Sequence, residues 1–420
     1  MPAISRVTDG RAGSRDMTRA ELAELIANGE NSAVEFKEEN VHPGVLAEEV
    51  VAFANVSGGV ILLGVRDDGT VSGVSRPDIE EWVMNICSHN VVPEIIPEFY
   101  RVVTEDGRVV VALRIPRGTN RPYRTNQGKY LVRVGTTKRI VSQMELARLF
   151  QASGMLHFDI TPVPTASFDD LDIDKIQAYF MHLHKLDVAA QPERARLNIL
   201  VNADIVRWLE GETRHVPTVG GLLLFGKRPE DRLPASGVTF ARFDGVRVTD
   251  PLIDKRQIGG TLPEVVEATV AALEAHLPRV MGLNGLRRVA GLPYPREVLR
   301  EALVNAVVHR DYSIAGSKVR VFLFSDRIEV RSPGRLPNTV TVEKMKVGTS
   351  FARNPMLLRY MENLDYVDRL GLGIPMIIER MLQASGREPD LVEKGEEFWL
   401  VLYGPCASES ASLTPPVEHC

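Results

Sequence analysis

The sequence predicts an α+β protein built from two unlike modules with a connecting α/β region between them. Three observations carry that expectation. At 420 residues the chain is too long for one typical core. Helical spacing and strand alternation succeed one another along it, with Asp-Gly turns between strands. A proline-bearing stretch at 161–166 separates a first series of elements from a second. The proportions, 44% hydrophobic and 25% charged, are those of a folded chain rather than a disordered one.

Residues 1–18 carry little periodicity and read as a flexible lead-in. A helix is expected over 18–28, with Thr18 as cap, Glu21 three residues later, and Leu22, Leu25 and Ile26 as the apolar stripe. A strand follows at 33–37, then a helix at 44–55 with Leu46, Val50 and Phe53 on one face. The run 60–65 reads as a buried strand ending in the turn Asp67-Asp68-Gly69, since Asp-Gly supplies the positive φ such turns need. A hairpin around Glu105-Asp106-Gly107, a strand at 130–134 and a helix at 142–150 complete a domain over 19–155. The connecting region, 156–289, opens on the 161–166 linker. It holds a helix at 173–183, strands at 220–226 and 237–243, and a helix at 262–276. The last module, 290–404, has a long helix at 296–308, strands at 319–324 and 327–330, a helix at 373–384 and a strand at 398–403. Residues 405–420 read as a loose tail.

A formal charge of −5 excludes a globally basic nucleic-acid binder, so any such surface has to be local. Three distant cysteines, Cys87, Cys406 and Cys420, give neither a disulfide framework nor metal-ligand spacing. There is no apolar run of membrane-spanning length, and polar residues stand where a signal peptide needs an apolar stretch. A cytoplasmic protein with no membrane partner is the expectation.

Two constellations carry chemistry. In 30–37, strand alternation puts Glu35 and Lys37 on one face and Phe36 on the other, toward a core. Phosphodiester hydrolysis needs carboxylates to hold a divalent metal and often a nearby cation. Asp67 at the end of the next strand is a further candidate ligand; a surface salt bridge is the plainer alternative. Between 114 and 139 lie Arg114, Arg117, Arg121, Arg124, Lys129, Arg133, Lys138 and Arg139, uninterrupted by any carboxylate and interleaved with Tyr123 and Tyr130. Cations that pair with phosphates and rings that stack on bases point to nucleic acid, DNA or RNA. In the last module Glu301, Asn305 and His309 recur every fourth residue and share one stripe of a helix otherwise made of Leu, Val and Ala. A Mg²⁺-bound triphosphate is one partner for that buried polar stripe; a satisfied seam between packed elements is the other reading. Ser332-Pro333-Gly334 and Gly371-Leu372-Gly373 lie downstream, the latter at a helix start where backbone N–H groups approach phosphate.

The ordered series at 30–37, 52–55, 58–59 and 63–69 resembles the Schlafen AlbA-like domain, over roughly 20–152. That resemblance implies nucleic-acid binding and, in nuclease members, a metal site (Mg²⁺ or Mn²⁺) of three carboxylates at Glu30, Glu35 and Asp67, with Lys37 beside it. The segments 300–312, 331–334, 353–355 and 371–374 resemble the GHKL-type ATPase fold, specifically the RecG-like or Schlafen-associated C-terminal domain, an α/β sandwich. Segment 218–228 resembles its usual connecting region. This second resemblance implies ATP and Mg²⁺, with Glu301 activating water, Asn305 on the metal, and Ser332, Gly334, Gly371 and Gly373 around the nucleotide. Ser332 stands where such enzymes carry an adenine-reading Asp, which implies binding rather than vigorous hydrolysis. No Gly-x-x-x-x-Gly-Lys-Ser/Thr loop is present, so no helicase motor is expected. Both resemblances suggest a homodimer. The expected function is a nucleic-acid-binding, ATP-binding regulator or defence factor. A metal-dependent nuclease and an interaction scaffold are the alternatives.

Overall fold

The computed structural model describes residues 17–209, 211, 213–277, 280–284, 287–291, 293–337, 340–349, 351–367 and 372–404, without the side chains of 280–291. The tail 405–420, most of the lead-in, Cys406, Cys420 and Gly371 lie outside the described residues. The chain divides into two compact units, Met1–Ser153 and Gly154–Cys420.

The N-terminal unit runs α1 (Arg19–Ala27), β1 (Val34–Lys37), α2 (Pro43–Ala54), β2 (Gly59–Leu63), α3 (Ile79–His89), β3 (Val91–Val92), β4 (Glu98–Val103), β5 (Val109–Ile115), β6 (Arg124–Thr125), β7 (Leu131–Val134), β8 (Thr137–Ile140) and α4 (Gln143–Ala152). The central sheet has the order β1-β2-β5-β4. Its β1 and β2 are parallel, and such a pair needs a crossover, which α2 supplies. The other two pairs are antiparallel, with β4 and β5 joined by the expected hairpin. Phe36, Leu62, Val110 and Ala112 pack on one face with Leu22 of α1. Ile61, Leu63, Val111 and Leu113 pack on the other with Leu46, Val50 and Phe53 of α2. Two buried faces explain why β2 reads as an unbroken apolar run.

The C-terminal unit continues with α5 (Ile173–His184), α6 (Glu193–Asn202), β9 (Val206–Trp208), β10 (His215–Pro217), α7 (Val219–Phe225), α8 (Pro229–Arg232), β11 (Val238–Phe243), β12 (Leu252–Ile258), α9 (Leu262–His276), β13 (Val280–Asn284) and β14 (Arg287–Gly291). It ends with α10 (Arg296–Val308), β15 (Val319–Leu323), β16 (Arg327–Pro333), α11 (Val342–Lys346), α12 (Pro355–Asn363), α13 (Gly373–Ser385), β17 (Asp390–Lys394) and β18 (Glu397–Tyr403). A six-stranded sheet has the order β12-β11-β15-β16-β18-β17, with β11 and β15 parallel and every other neighbour antiparallel. Val266 and Leu273 of α9, Leu299 and Leu303 of α10 and Ile377 of α13 share one core with Phe240, Val321, Val330 and Leu402 of the sheet.

Three readings differ from the sequence expectation. Segment 220–226 is helix α7, not a strand: Thr218 Oγ1 caps it by accepting from Gly221 N at 2.9 Å, and every residue of it is buried. An all-apolar run has no periodicity to separate the two forms. The 161–166 stretch is no loose linker, because Val163 N donates to Pro217 O at 2.9 Å and Val163 and Ala166 enter the core. The connecting region and the last module also share one sheet, through β11 on β15. Among the described residues no helix is long and apolar enough to cross a membrane.

Candidate functional site

In the C-terminal unit, helix α10 buries its Leu, Val and Ala faces and leaves one polar stripe. That stripe faces a cavity of about 170 Å³ by the water-accessible measure, lined by Glu301, Asn305 and His309. Ser332 and Gly334 join it from the end of β16, and Gly373 from the start of α13. Five of the six expected nucleotide-site residues outside the N-terminal unit thus meet at one cavity; the sixth, Gly371, is not among the described residues. Apolar walls come from Leu336, Met345, Phe351, Leu358, Phe398 and Leu400, which no local pattern in the sequence flags.

The site's bonds are specific. Asn305 Nδ2 donates to Glu301 Oε1 and to Glu301 O, both at 2.9 Å. A Cβ on Gly373 would run into Glu301 Oε1, so with a glycine at its start α13 begins directly against the carboxylate. Ser332 Oγ donates to Ala306 O at 2.7 Å, which leaves its lone pairs as the acceptor side of the hydroxyl. Gly334 has φ +118°, and a Cβ there would strike Arg353 Nη1. Burial, with the Arg353 cation adding to it, pushes His309 down to about 4, so its imidazole is neutral at pH 7.

The Arg353-Asn354-Pro355 motif holds this wall of the cavity. Arg353 is 4% exposed and donates to His309 O at 3.4 Å and to Arg335 O. Asn354 Nδ2 donates to Val308 O and Arg310 O, both at 2.8 Å, closing carbonyls at the end of α10. Since Asn354 faces that way, it makes no side-chain cap on its own helix. Asp159 does this instead: its Oδ2 accepts from Met356 N at 2.7 Å and Leu357 N at 3.2 Å. A cap 197 residues away in sequence has no local signature.

The N-terminal constellation is arranged differently. Phe36 faces its core as expected, but Glu35 is only 5% exposed on the opposite face. There Lys37 Nζ pairs with it, and Arg133 Nη2 lies 2.7 Å from its Oε2. Arg133 also reaches Glu49 of α2 at 3.5 Å and stacks over Phe53 at 4.6 Å. Lys138 continues the chain to Glu49 at 2.9 Å and Glu48 at 3.2 Å, and Lys129 pairs with Glu48 at 2.7 Å. Burial, reinforced by Glu35, raises the Glu49 carboxyl above its ordinary value even though Lys138 pulls the other way.

The expected metal trio is not assembled in this arrangement. Glu30 Oε1 accepts from Phe36 N at 3.0 Å, Glu35 is held by its two cations, and Asp67 is exposed in the turn after β2. Among the described residues no group of three His, Cys, Asp or Glu stands together as a metal site. The basic strip is likewise divided. Arg133 and Arg121 are buried, and Tyr123 is 3% exposed, its N–H on Asn55 Oδ1 at 2.7 Å, so its ring is no open stacking face. Arg117, Arg124 and Lys138 are half-buried. Arg114, Lys129 and Arg139 stay exposed, beside Glu98 at 3.6 Å, Glu48 at 2.7 Å and Glu145 at 2.8 Å. Helix α2 carries counter-charges that the strip alone does not reveal: Glu48 and Glu49 face Lys129, Arg133 and Lys138.

Comparisons with known proteins divide the chain in the same way. Residues 30–142 match the family model described as "Schlafen, AlbA_2". Residues 316–402 match the one described as "Putative ATP-dependent DNA helicase recG C-terminal". The chain therefore carries a Schlafen AlbA_2 domain followed by a domain of RecG C-terminal type. The second match includes Ser332, Gly334 and Gly373 and begins after Glu301 and Asn305. Among solved structures, the DIP2311 protein of Corynebacterium diphtheriae is 21% identical over 92% of this chain and 80% of its own, with a TM-score of 0.46. The N-terminal domain of a "Putative ATP-dependent DNA Helicase RecG-related Protein" from Nitrosomonas europaea is 22% identical over 30% of this chain and 91% of its own, with a TM-score of 0.24. Comparison with curated proteins gives no match.

Proposed function

We propose that this chain is a nucleic-acid-handling regulator or defence factor whose C-terminal cavity binds ATP with Mg²⁺, and that ATP sets the state of the N-terminal domain. The observation that carries the reading is the meeting of Glu301, Asn305, Ser332, Gly334 and Gly373 at one cavity. The two matched domain types support it, one named for an ATP-dependent helicase and one for Schlafen AlbA_2. In this reading Asn305 turns its amide nitrogen to Glu301, so its Oδ1 is the atom that would meet the cation. Glu301 sits beside it to orient water, and the acceptor side of Ser332 meets an amino group of the base. Without a charged acceptor at that position, binding is favoured over fast turnover.

Nucleic acid is assigned to Arg114, Lys129 and Arg139. Their cations are exposed, and ion pairs at the surface are weak. A phosphate can therefore replace the carboxylate partner at little cost. The test uses labelled tRNA, single-stranded RNA and single-stranded DNA with Mg²⁺ or Mn²⁺, with and without ATP, beside Glu35→Ala. Salt-sensitive binding that ATP changes, without cleavage, is the expected result. Metal-dependent cleavage lost in Glu35→Ala would establish a nuclease instead. No binding to any of the three would leave an interaction scaffold.

A further inference from the structure

Two independent contacts tie the start of the C-terminal unit to the walls of the cavity. The first is Gly154, which follows α4 by a single intervening residue, Ser153. A Cβ on Gly154 would lie 2.8 Å from Phe351 Cζ, and Phe351 lines the cavity. The second is Asp159, fully buried, whose Oδ2 holds the first N–H groups of α12. That helix lines the same cavity with Leu358 and Glu362. Helix α7 packs beside both: a Cβ on Gly220 would lie 2.6 Å from Met356 Sδ and 3.0 Å from Asp159 O. Val219 N donates to Thr161 O at 2.9 Å, so the segment is held from two sides.

We infer that residues 154–161 form a strap to which occupancy of the cavity is relayed. This rests on the reading that the cavity takes ATP. The physical basis is local. The Phe351 ring approaches the backbone at Gly154 more closely than a side chain there would allow, so a ligand pressing on the ring bears on the chain itself. A ligand seated against Leu358 and Glu362 fixes α12, and Asp159 is bonded to the first turn of that helix. Close-packed contacts of this kind carry a shift rather than absorb it. The strap also gives Asp159 a role beyond capping: the carboxylate is the rigid link between strap and helix.

The test is hydrogen exchange on the full chain, with and without saturating MgATP, beside calorimetry of ATP binding. Wild-type amides in 154–161 are expected to exchange about fivefold or more slowly with MgATP, the lower end of ordinary coupling between sites. At MgATP concentrations raised until it is saturated, Asp159→Ala is expected to lose that slowing. ATP binding in the wild type with unchanged exchange at 154–161 overturns the relay and leaves the nucleotide reading standing. Equal slowing in Asp159→Ala overturns it too. No calorimetric ATP binding removes both. If the variant does not fold, the wild-type exchange result decides alone.

Discussion

The two charged regions of this protein solve opposite problems. In the N-terminal unit, carboxylates and cations from β1, α2, β7 and β8 alternate, Lys37–Glu35–Arg133–Glu49–Lys138–Glu48–Lys129, so the charges satisfy one another. In the C-terminal unit, the polar stripe of α10 lines a cavity, with Asn305 bonded to Glu301. The difference teaches that a run of charge in sequence says little until its counter-charges are located. A closed network is chiefly architecture, whereas a polar stripe that lines a cavity is placed where a ligand can meet it.

The comparison is most exposed at Arg133, whose side chain is 1% exposed between Glu35 and Glu49. Arg133→Ala leaves two carboxylates buried without their shared cation, and denaturant unfolding is expected to show a loss of about 3–5 kcal/mol. A loss near zero would mean that the cluster is not structural. His309 comes next. Its folded value, about 4, lies below the ordinary 6.5 because burial disfavours the cation. As pH falls below about 6.5 the unfolded chain takes a proton that the folded one refuses. The stability is thus fully present above the unfolded value and is lost as pH falls toward about 4, by up to about 3 kcal/mol. Denaturation across that window is expected to show this slope in the wild type and a flatter one in His309→Gln. The smallest effect belongs to Arg139, exposed and paired with exposed Glu145. Arg139→Ala is expected to leave the denaturation midpoint close to that of the wild type. Nucleic-acid binding should nevertheless weaken, and the slope of log K on log salt should drop by about one, as one phosphate contact is removed.

What the sequence made legible follows from how local each signal is. Helix α10 spans the same residues that the periodicity predicts, and its 301–305–309 stripe lines the cavity, because helical periodicity is a property of the segment itself. The hairpin of β4 and β5 was equally plain from its Asp-Gly turn. Helix α7 was misread since a run buried on every side has no period to read. Tyr123 and Arg133 looked like surface groups, and only the docking of α2 against β7 and β8 buries them. Asp159 was invisible because its partners arrive from 197 residues away. The α10 stripe is a pattern within one segment, whereas the N-terminal charge network is assembled from strands and a helix distant in sequence.

The account depends most on the cavity being a nucleotide site. Titration of the full chain with ATP and Mg²⁺ by calorimetry, for wild type and Asn305→Ala, tests that directly. The wild type is expected to bind and the variant to bind at least about tenfold more weakly, the effect of losing one metal-directed or charge-assisted contact. Equal affinities, or no heat of binding in the wild type, would contradict the account.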